Sequence, residues 1–289
     1  MSRVLILGSG GQLGAELVRV ARAAGHDVIA LNRSGLDITS AEAVEEKLAA
    51  ADPEIVINAA AYNMVDVAEQ EPLAAFLVNG LAVRHIAAAC RQVDARLVHF
   101  STDYVFDGMA GRAYTEADAV HPLGAYAVSK LAGELYAQAY LDNALIIRVS
   151  GVFGPAGVRT ARSNFVELML RLAAGGKEIR VVEDHVASPS YAPAIAARTF
   201  EAAGRGITGV LHMGGGTAIS WYDWAKMIFE RAGLQPELKA TNEREYRTAA
   251  RRPKYSALEN ARMKELGITA MPALDEALAD YLMRRNELI

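Results

Sequence analysis

Tyr126 and Lys130 lie four positions apart in a segment whose apolar spacing predicts a helix. Residues four apart share one helix face, so the lysine ammonium can approach the tyrosine phenol. A cation about 4 Å away at an effective dielectric constant of about 20 is worth about 4 kcal/mol, which lowers the phenol pKa by up to about three units. The phenol of Tyr126 would then be a usable proton donor near neutral pH.

Thr102 ends the predicted strand that precedes this helix, and is expected at the carboxyl edge of a sheet. Its hydroxyl could donate a second hydrogen bond to the oxygen that Tyr126 protonates. Thr102, Tyr126 and Lys130 are therefore the candidate catalytic residues, and they suit hydride transfer from a dihydronicotinamide to a ketone carbon. Tyr222 and Lys226 have the same spacing, but no strand carrying Ser or Thr precedes them, so we interpret them as surface and packing residues.

A glycine-rich turn joins the first predicted strand to the first predicted helix. Gly8, Gly11 and Gly14 follow the spacing Gly-x-x-Gly-x-x-Gly. One glycine would make the tight turn, the next would let a pyrophosphate approach the backbone, and the last would let the helix pack on the strand. The setting between strand and helix favours a dinucleotide site over an ordinary glycine-rich turn.

The second predicted strand ends without a carboxylate that could accept a hydrogen bond from an adenosine ribose 2′-hydroxyl. It runs instead into Asn32, Arg33 and Ser34, and a guanidinium beside a hydroxyl suits a 2′-phosphate. The pattern favours NADPH. A solvated Arg33 beside an Asn32 that bonds the ribose directly is the alternative, and use of NADH stays open.

Apolar runs of strand length alternate with helical periods along the 289 residues. This predicts an α/β fold with a doubly wound parallel sheet of the Rossmann type and a smaller C-terminal substrate-binding lobe. We expect a dinucleotide-binding core at 1–154 and a mixed segment at 155–289, with some elements returning to the core. Residues 179–182 are expected to be one of the strands, and Thr39 with Glu42 predicts a capping box for the second helix.

The composition of the chain indicates which classes of binding partner are disfavoured. The formal net charge is −4 without a block of like charge, which disfavours nucleic acid and anionic membranes. Cys90 is the only cysteine and is expected in the core, and the six histidines lack ligand spacing, so no metal site is predicted. We recognise no targeting segment and no apolar run of about 18 residues. These observations predict a cytoplasmic protein with a small-molecule partner.

Longer strings extend the motifs across nearly the whole chain. The most specific is Ser-Thr-Asp-Tyr-Val-Phe-Asp-Gly at 101–108, and others lie at 36–39, 58–62, 65–69, 164–165 and 252–258. On these residues the sequence resembles the dTDP-4-dehydrorhamnose reductase family of extended short-chain dehydrogenases/reductases. The resemblance implies reduction of the C4 ketone of a dTDP-linked 6-deoxysugar, from dTDP-4-dehydro-L-rhamnose to dTDP-L-rhamnose, for a cell-surface polysaccharide.

The resemblance also implies a role for each matching residue. Tyr126 would be the proton donor and Lys130 would hold the nicotinamide ribose. With the motifs above, the cofactor-binding set becomes Gly8, Gly11, Gln12, Leu13, Gly14, Arg33, Asp37, Ile38, Ala60, Ala61, Tyr62, Ser101, Tyr126 and Lys130. The substrate-binding set is Thr102, Asp103, Tyr104, Asn164 and Arg252.

Two departures bear on what the resemblance implies. Family members often have a tryptophan in the segment equivalent to 148–153, where this chain has Gly151, so a related sugar or another C4 stereochemistry stays open. Some members bind magnesium at a dimer interface through glutamates. Glu16 is the one candidate match here, and is otherwise expected to be a solvated charge. A homodimer is among the assemblies that the resemblance allows.

Two other functional classes stay open. The family includes a non-catalytic NADP-binding regulatory subunit of methionine adenosyltransferase, but a complete set of Thr102, Tyr126 and Lys130 favours an enzyme. A dehydratase or epimerase with tightly bound NAD would keep the same fold. Dehydratases usually carry an Asp-Glu pair after the strand-end threonine, whereas Tyr104 follows Asp103 here.

Overall fold

The computed structural model describes residues 1–160 and 163–288. In these residues the strands β1 to β10 are Arg3–Leu7, Asp27–Leu31, Ile55–Asn58, Arg96–Thr102, Leu145–Val149, Ile179–Val182, Val186–Ala187, Gly209–His212, Ile219–Ser220 and Leu238–Thr241. The helices α1 to α11 are Gln12–Ala23, Ala41–Ala51, Val65–Ala68, Pro72–Phe76, Ala82–Gln92, Ala125–Tyr140, Phe165–Ala174, Ala192–Gly204, Trp221–Ala232, Ala261–Glu265 and Leu274–Asn286.

The main sheet has six parallel strands in the order β2-β1-β3-β4-β5-β8. The connections from β1 and β3 run in opposite directions along the sheet, so the order reverses between these two neighbouring strands. Ligands of doubly wound sheets bind outside the carboxyl ends of the strands at such a switch point. The predicted fold class is confirmed, and the topology places a cleft beside residues 8 and 59.

Helices cover both faces of the main sheet, which explains why its strands are mostly apolar. Val4 and Ile6 pack with α1 and α8 on one face, while Leu5 and Leu7 pack with α2, α5 and α6 on the other. Each strand therefore buries successive side chains in two different cores. This fixes the register of β1, and with it the position of the glycine-rich turn that follows.

Elements after residue 154 divide between the main sheet and a second core. β8 pairs with β5, and α8 packs on α1, so both return to the main sheet. The two-stranded sheets β6-β10 and β7-β9 lie outside it. Residues 179–182 form the expected strand, but it pairs with β10 rather than joining the main sheet. Phe153, Trp224 and Tyr281 are central to the second core, together with residues of α7, α9 and α11.

Two helices differ from their predicted form. α2 begins at Ala41, and Ser40 rather than Thr39 caps it, because the Ser40 hydroxyl accepts a hydrogen bond from Ala43 N. The capping-box prediction was therefore wrong: the Thr39 hydroxyl donates to Asp37, and Ala43, three residues after Ser40, has no side chain that could complete a box. α4 and α5 are joined through a π-helical turn at Leu77–Leu81. The resulting stretch Pro72–Gln92 passes a length-and-composition test for a membrane span, contrary to the expectation from sequence, but half of its apolar window is buried in the fold.

Candidate active site

The glycine-rich turn follows β1 and has little room for side chains. Gly8 has a φ of +78°, and a Cβ there would lie 2.5 Å from Ala60 N. A Cβ on Gly14 would lie 2.1 Å from the carbonyl oxygen of Gly8, so glycine is needed where α1 packs on the turn. α1 begins after Gly11 without a side-chain cap. Its first N–H groups, and the positive end of the helix dipole, are therefore suited to a phosphate.

A long cleft runs from the end of β2 to α6 across the carboxyl ends of the strands. Its inner compartment, beside α6, has a volume of about 480 Å³, and its outer compartment, beside β2, has about 450 Å³. The inner compartment brings together Gly11, Gln12, Leu13, Gly14, Ala60, Ala61, Ser101, Thr102, Asp103, Tyr126 and Lys130. The outer compartment is lined by Gly8, Arg33, Asp37, Ile38 and Tyr62, and shares Gly11, Ala60 and Ala61 with the inner one.

Lys130 lies deep in the inner compartment, one helical turn after Tyr126. Its Nζ donates a hydrogen bond of 2.6 Å to the carbonyl oxygen of Phe100, and the side chain is buried. Burial lowers the pKa of Lys130 to about 8, and the negative charge of Glu134 opposes this shift. Tyr126 is only partly buried and lines the same compartment. Both groups of the predicted proton-donating pair therefore reach one cavity, with the ammonium on its inner side.

The pKa of Lys130 predicts a basic limb in the pH profile of turnover. Above about pH 8 the ammonium of Lys130 loses its proton, so its positive charge no longer favours proton donation by Tyr126. We expect kcat for ketone reduction to fall as pH rises through about 8, measured between pH 6 and 10 with both substrates saturating. Cofactor affinity measured across the same range is the control. A kcat that stays constant to pH 10 would contradict the role of the Lys130 charge.

Asp103 is a buried carboxylate at the centre of a cluster of hydroxyl groups. Thr102 donates to one oxygen at 2.9 Å, and Ser150 and Ser256 donate to the other at 2.8 and 2.6 Å. Burial raises the pKa of Asp103, while the three hydroxyl donors act in the opposite direction. Thr102 also accepts from Tyr104 N at 3.1 Å. The Thr102 proton thus points to Asp103, and donation to a substrate oxygen requires the hydroxyl to rotate.

Asn79 in the π-helical turn connects the cofactor loop to the catalytic helix. Its side chain accepts from Tyr62 N at 2.8 Å and donates to Tyr62 O at 2.9 Å. It also donates to the Ser129 hydroxyl at 3.0 Å, which in turn donates to the carbonyl oxygen of Tyr126 at 2.7 Å. We did not predict this chain of contacts. Its only signal in the sequence is Asn-Gly at 79–80 within an apolar helical run.

Side chains from α3 and its C-terminus hold the start of α6. Glu69 accepts a hydrogen bond of 2.8 Å from Ala125 N, so it caps the helix that carries Tyr126. One turn earlier, Asp66 pairs with both terminal nitrogens of Arg252, at 3.0 and 2.7 Å. These contacts fix the catalytic helix against the loop around residue 252.

Three predicted substrate-binding residues lie outside the wall of the two compartments. The guanidinium of Arg252 forms a salt bridge with the carboxylate of Asp66. Asn164 caps α7 through Glu167 N and donates to Gln12 Oε1 at 3.3 Å, so it supports the cofactor turn from behind. Tyr104 packs edge-on against Tyr126 with 6.0 Å between the ring centroids, and burial raises its pKa to about 12. Contact of these three with substrate stays a prediction.

The outer compartment exposes Arg33 on a tight turn. The Asn32 side-chain oxygen accepts from Ser34 N, Ser34 Oγ and Gly35 N at 2.7 to 3.2 Å. Arg33 is exposed at the tip of this turn and lines the cleft. Thr39 donates to Asp37 through both its N–H and its hydroxyl, which lowers the pKa of that carboxyl. A guanidinium therefore faces the end of the cleft where an adenosine ribose would lie.

Glu16 is not the solvated charge expected from the sequence. It is 4% exposed, and its carboxylate accepts from Arg19 at 2.8 Å and from Arg284 at 3.0 Å. The described residues contain no group of three or more His, Cys, Asp or Glu side chains that could hold a metal ion. A carboxylate already held by two guanidinium groups does not fit a magnesium site within one chain, and no step below uses a metal.

Taken together, the parallel sheet, the glycine-rich turn at its switch point and the Tyr–Lys pair define a class. The protein is an NAD(P)-dependent oxidoreductase of the short-chain dehydrogenase/reductase type.

Comparison with known proteins gives the family. The family model for the RmlD substrate binding domain matches residues 2–286. The chain is 37% identical over 286 residues to the spore coat polysaccharide biosynthesis protein SpsK of Bacillus subtilis, covering 99% of each chain. It is 38% identical to dTDP-4-dehydrorhamnose reductase of Mycobacterium tuberculosis, and the match covers 97% of this chain and 92% of that protein. The crystal structure of dTDP-4-dehydrorhamnose reductase from Bacillus anthracis in complex with NADP superposes on this chain with a TM-score of 0.93 and 32% sequence identity. The match covers 98% of this chain and 99% of that chain. The chain belongs to the dTDP-4-dehydrorhamnose reductase family.

Proposed function

We propose that this protein uses NADPH to reduce the C4 ketone of dTDP-4-dehydro-L-rhamnose, giving dTDP-L-rhamnose. The observation that carries the proposal is the joint position of Thr102, Tyr126 and Lys130 in the compartment that the glycine-rich turn also lines. The names of the relatives support the substrate, and the NADP in the Bacillus anthracis structure supports the cofactor. The SpsK relative supports a product used for cell-surface polysaccharide.

The cleft has the residues needed to hold a dinucleotide. The N–H groups at the start of α1, which no side chain caps, suit its pyrophosphate, and Arg33 suits a 2′-phosphate. The Ser101 hydroxyl is buried in the inner compartment and has no hydrogen-bond partner among the described residues, so it is open to a ligand. When bound, NADPH supplies the hydride.

The chain's own residues then handle the proton. Tyr126 holds a proton on its phenol oxygen, and the neighbouring ammonium of Lys130 makes that proton easier to donate. As the ketone oxygen gains negative charge, Tyr126 protonates it, and the Thr102 hydroxyl can rotate from Asp103 to stabilise the same oxygen. Asp103, held by Ser150 and Ser256, keeps Thr102 in position.

Turnover of the proposed substrate tests this function. Purified protein is mixed with dTDP-4-dehydro-L-rhamnose and NADPH, then with NADH, while cofactor absorbance is followed and the sugar product is identified by NMR. We expect oxidation of NADPH and formation of dTDP-L-rhamnose. Gly151, in place of the aromatic residue common in the family, favours a different nucleotide-linked 4-ketosugar as the second candidate. Oxidation of NADPH only with another nucleotide-linked 4-ketosugar would support the second candidate. No oxidation with any 4-ketosugar would reject both candidates.

Arg33 is predicted to set the preference for NADPH. In Arg33→Ala the KM for NADPH should rise about 10-fold or more, since a hydrogen bond to a charged group contributes about 1.5–3 kcal/mol. The KM for NADH should change little, because NADH has no 2′-phosphate. Arg22→Ala, an exposed arginine at the end of α1, is the matched control for loss of one surface charge. An equal rise in the KM for NADPH and the KM for NADH would mean that Arg33 does not contact the 2′-phosphate.

The cytoplasmic location and the homodimer stay predictions. So does use of NADH as a second cofactor, which the assay above measures directly.

A further inference from the structure

Ser163 brings an unassigned hydroxyl to the inner compartment. It lies in the loop between the helical turn at Pro155–Arg159 and α7, and it lines the same compartment as the first residues of α1. The Ser163 side chain is partly exposed, and it makes no hydrogen bond to another residue that the structure describes. Its hydroxyl proton is therefore open to a ligand in this compartment.

The backbone on both sides of Ser163 is fixed. The Ser163 N–H donates to the carbonyl oxygen of Thr160 at 3.1 Å. The side chain of the next residue, Asn164, is held by Glu167 N at 3.1 Å and by Gln12 Oε1 at 3.3 Å. Ser163 itself has a φ of +50°, which L side chains rarely adopt. Glycine would fit this backbone without strain, so folding alone does not favour a serine here.

Contacts of Gln12 indicate which part of a ligand lies near this loop. Gln12 is the first residue of α1, and its side chain donates to Val152 O at 2.9 Å and accepts from Asn164 at 3.3 Å. The loop that carries Ser163 is therefore tied to the N-terminal turn of α1. The N–H groups of that turn suit a pyrophosphate, whose charged oxygens also accept strong hydrogen bonds from hydroxyl groups.

Thr160 is the other hydroxyl that this loop brings to the compartment, but its proton is already used. Thr160 Oγ1 donates to the carbonyl oxygen of Gly157 at 3.0 Å, so it presents lone pairs to a ligand. An anionic oxygen gains no hydrogen bond from these lone pairs. Ser163 is therefore the hydroxyl donor of the loop, and Thr160 is a control for it.

We propose that the Ser163 hydroxyl donates a hydrogen bond to the pyrophosphate of the bound dinucleotide. The pyrophosphate site then includes the loop before α7 as well as the glycine-rich turn. This inference rests on the proposed function, because it names a further residue that contacts the cofactor. Since NADPH and NADH have the same pyrophosphate, loss of the hydroxyl should weaken both equally, whereas Arg33→Ala should weaken NADPH selectively.

Cofactor binding measured without substrate tests the proposal. In Ser163→Ala we expect the Kd for NADPH and the Kd for NADH, from titrations of cofactor fluorescence, each to rise about 10-fold, the scale for loss of one hydrogen bond to a charged group. Ser163→Gly should show a similar rise, because it also lacks the hydroxyl but fits the backbone. Thr160→Val is the matched control, and should leave both Kd values near those of the unaltered protein. A Kd in Ser163→Ala equal to that of the control, or tight binding restored in Ser163→Gly, would overturn the proposal.

Competition with ADP-ribose locates the contact within the dinucleotide. ADP-ribose keeps the pyrophosphate and lacks the nicotinamide, so its affinity should fall in Ser163→Ala as much as that of NADH. A loss confined to NADH and NADPH would place Ser163 beside the nicotinamide and overturn the proposal. A change confined to the KM for the sugar nucleotide, which also has a diphosphate, would overturn it as well.

The titrations need no turnover, so they separate this inference from the proposed function. A protein that binds NADPH but reduces no 4-ketosugar would reject the proposed function. The Kd values of the Ser163 variants would still decide whether the hydroxyl contacts the pyrophosphate.

Discussion

Replacing Tyr126 by Phe is expected to lower kcat for ketone reduction by about 100-fold or more, the usual range for loss of a general acid. The change removes one oxygen atom from a partly exposed ring of the inner compartment and leaves the glycine-rich turn intact. Affinity for NADPH should therefore stay close to that of the unaltered protein. Single-turnover kinetics with NADPH already bound separate the chemical step from product release.

The chain provides its own matched control for this experiment. Tyr222 precedes Lys226 with the same spacing, but Lys226 is exposed and pairs with Glu230 across one turn of α9. Tyr222→Phe removes the same atom from the same kind of helical pair, outside the residues that line the cleft. We expect it to keep near-normal turnover. Near-normal turnover in Tyr126→Phe would instead reject the assignment of the proton donor.

Features set by short stretches of sequence could be predicted. β3 and β5 are mainly apolar runs of strand length, the pattern expected of strands that are buried on both faces of a parallel sheet. The glycine-rich turn and the Tyr–Lys pair also depend only on residues within about seven positions. Topology then brings them together, since the carboxyl ends of parallel strands meet at one edge of the sheet.

Features set by distant pairs could not be predicted. The hydroxyl groups around Asp103 come from residues 150 and 256, and Asn79 contacts Tyr62 across 17 positions. The buried state of Glu16 depends on Arg284, near the other end of the chain. Local pattern carries no information on such pairs. The neighbours of Gly151 are distant in sequence for the same reason: a Cβ there would lie 3.0 Å from Cη2 of Trp221, 70 positions later.

A buried ion pair behind the catalytic helix is expected to have the largest effect on stability. Glu134 on α6 accepts two hydrogen bonds from Arg148 on β5, at 2.9 and 2.7 Å, and both side chains are buried. Arg148→Met would leave the Glu134 carboxylate buried without its partner. We expect the free energy of unfolding to fall by about 3–5 kcal/mol, measured by urea denaturation followed by circular dichroism.

The double variant Glu134→Leu with Arg148→Met tests whether the stability is lost because one buried charge is left without its partner. Replacing a buried ion pair by apolar groups of similar volume is often neutral, so the double variant should regain most of the stability that Arg148→Met loses. This account would be contradicted if the double variant lost as much free energy of unfolding as Arg148→Met, or more.

The same double variant connects the ion pair to catalysis. The negative charge of Glu134 raises the pKa of Lys130 against the effect of burial. Without that charge, the pKa of Lys130 should fall further, and the ammonium should lose its proton at a lower pH. The decline in kcat should therefore begin below pH 8 in a protein that remains folded. An unshifted basic limb would show that Glu134 contributes to the fold alone, and that another group sets the protonation of Lys130.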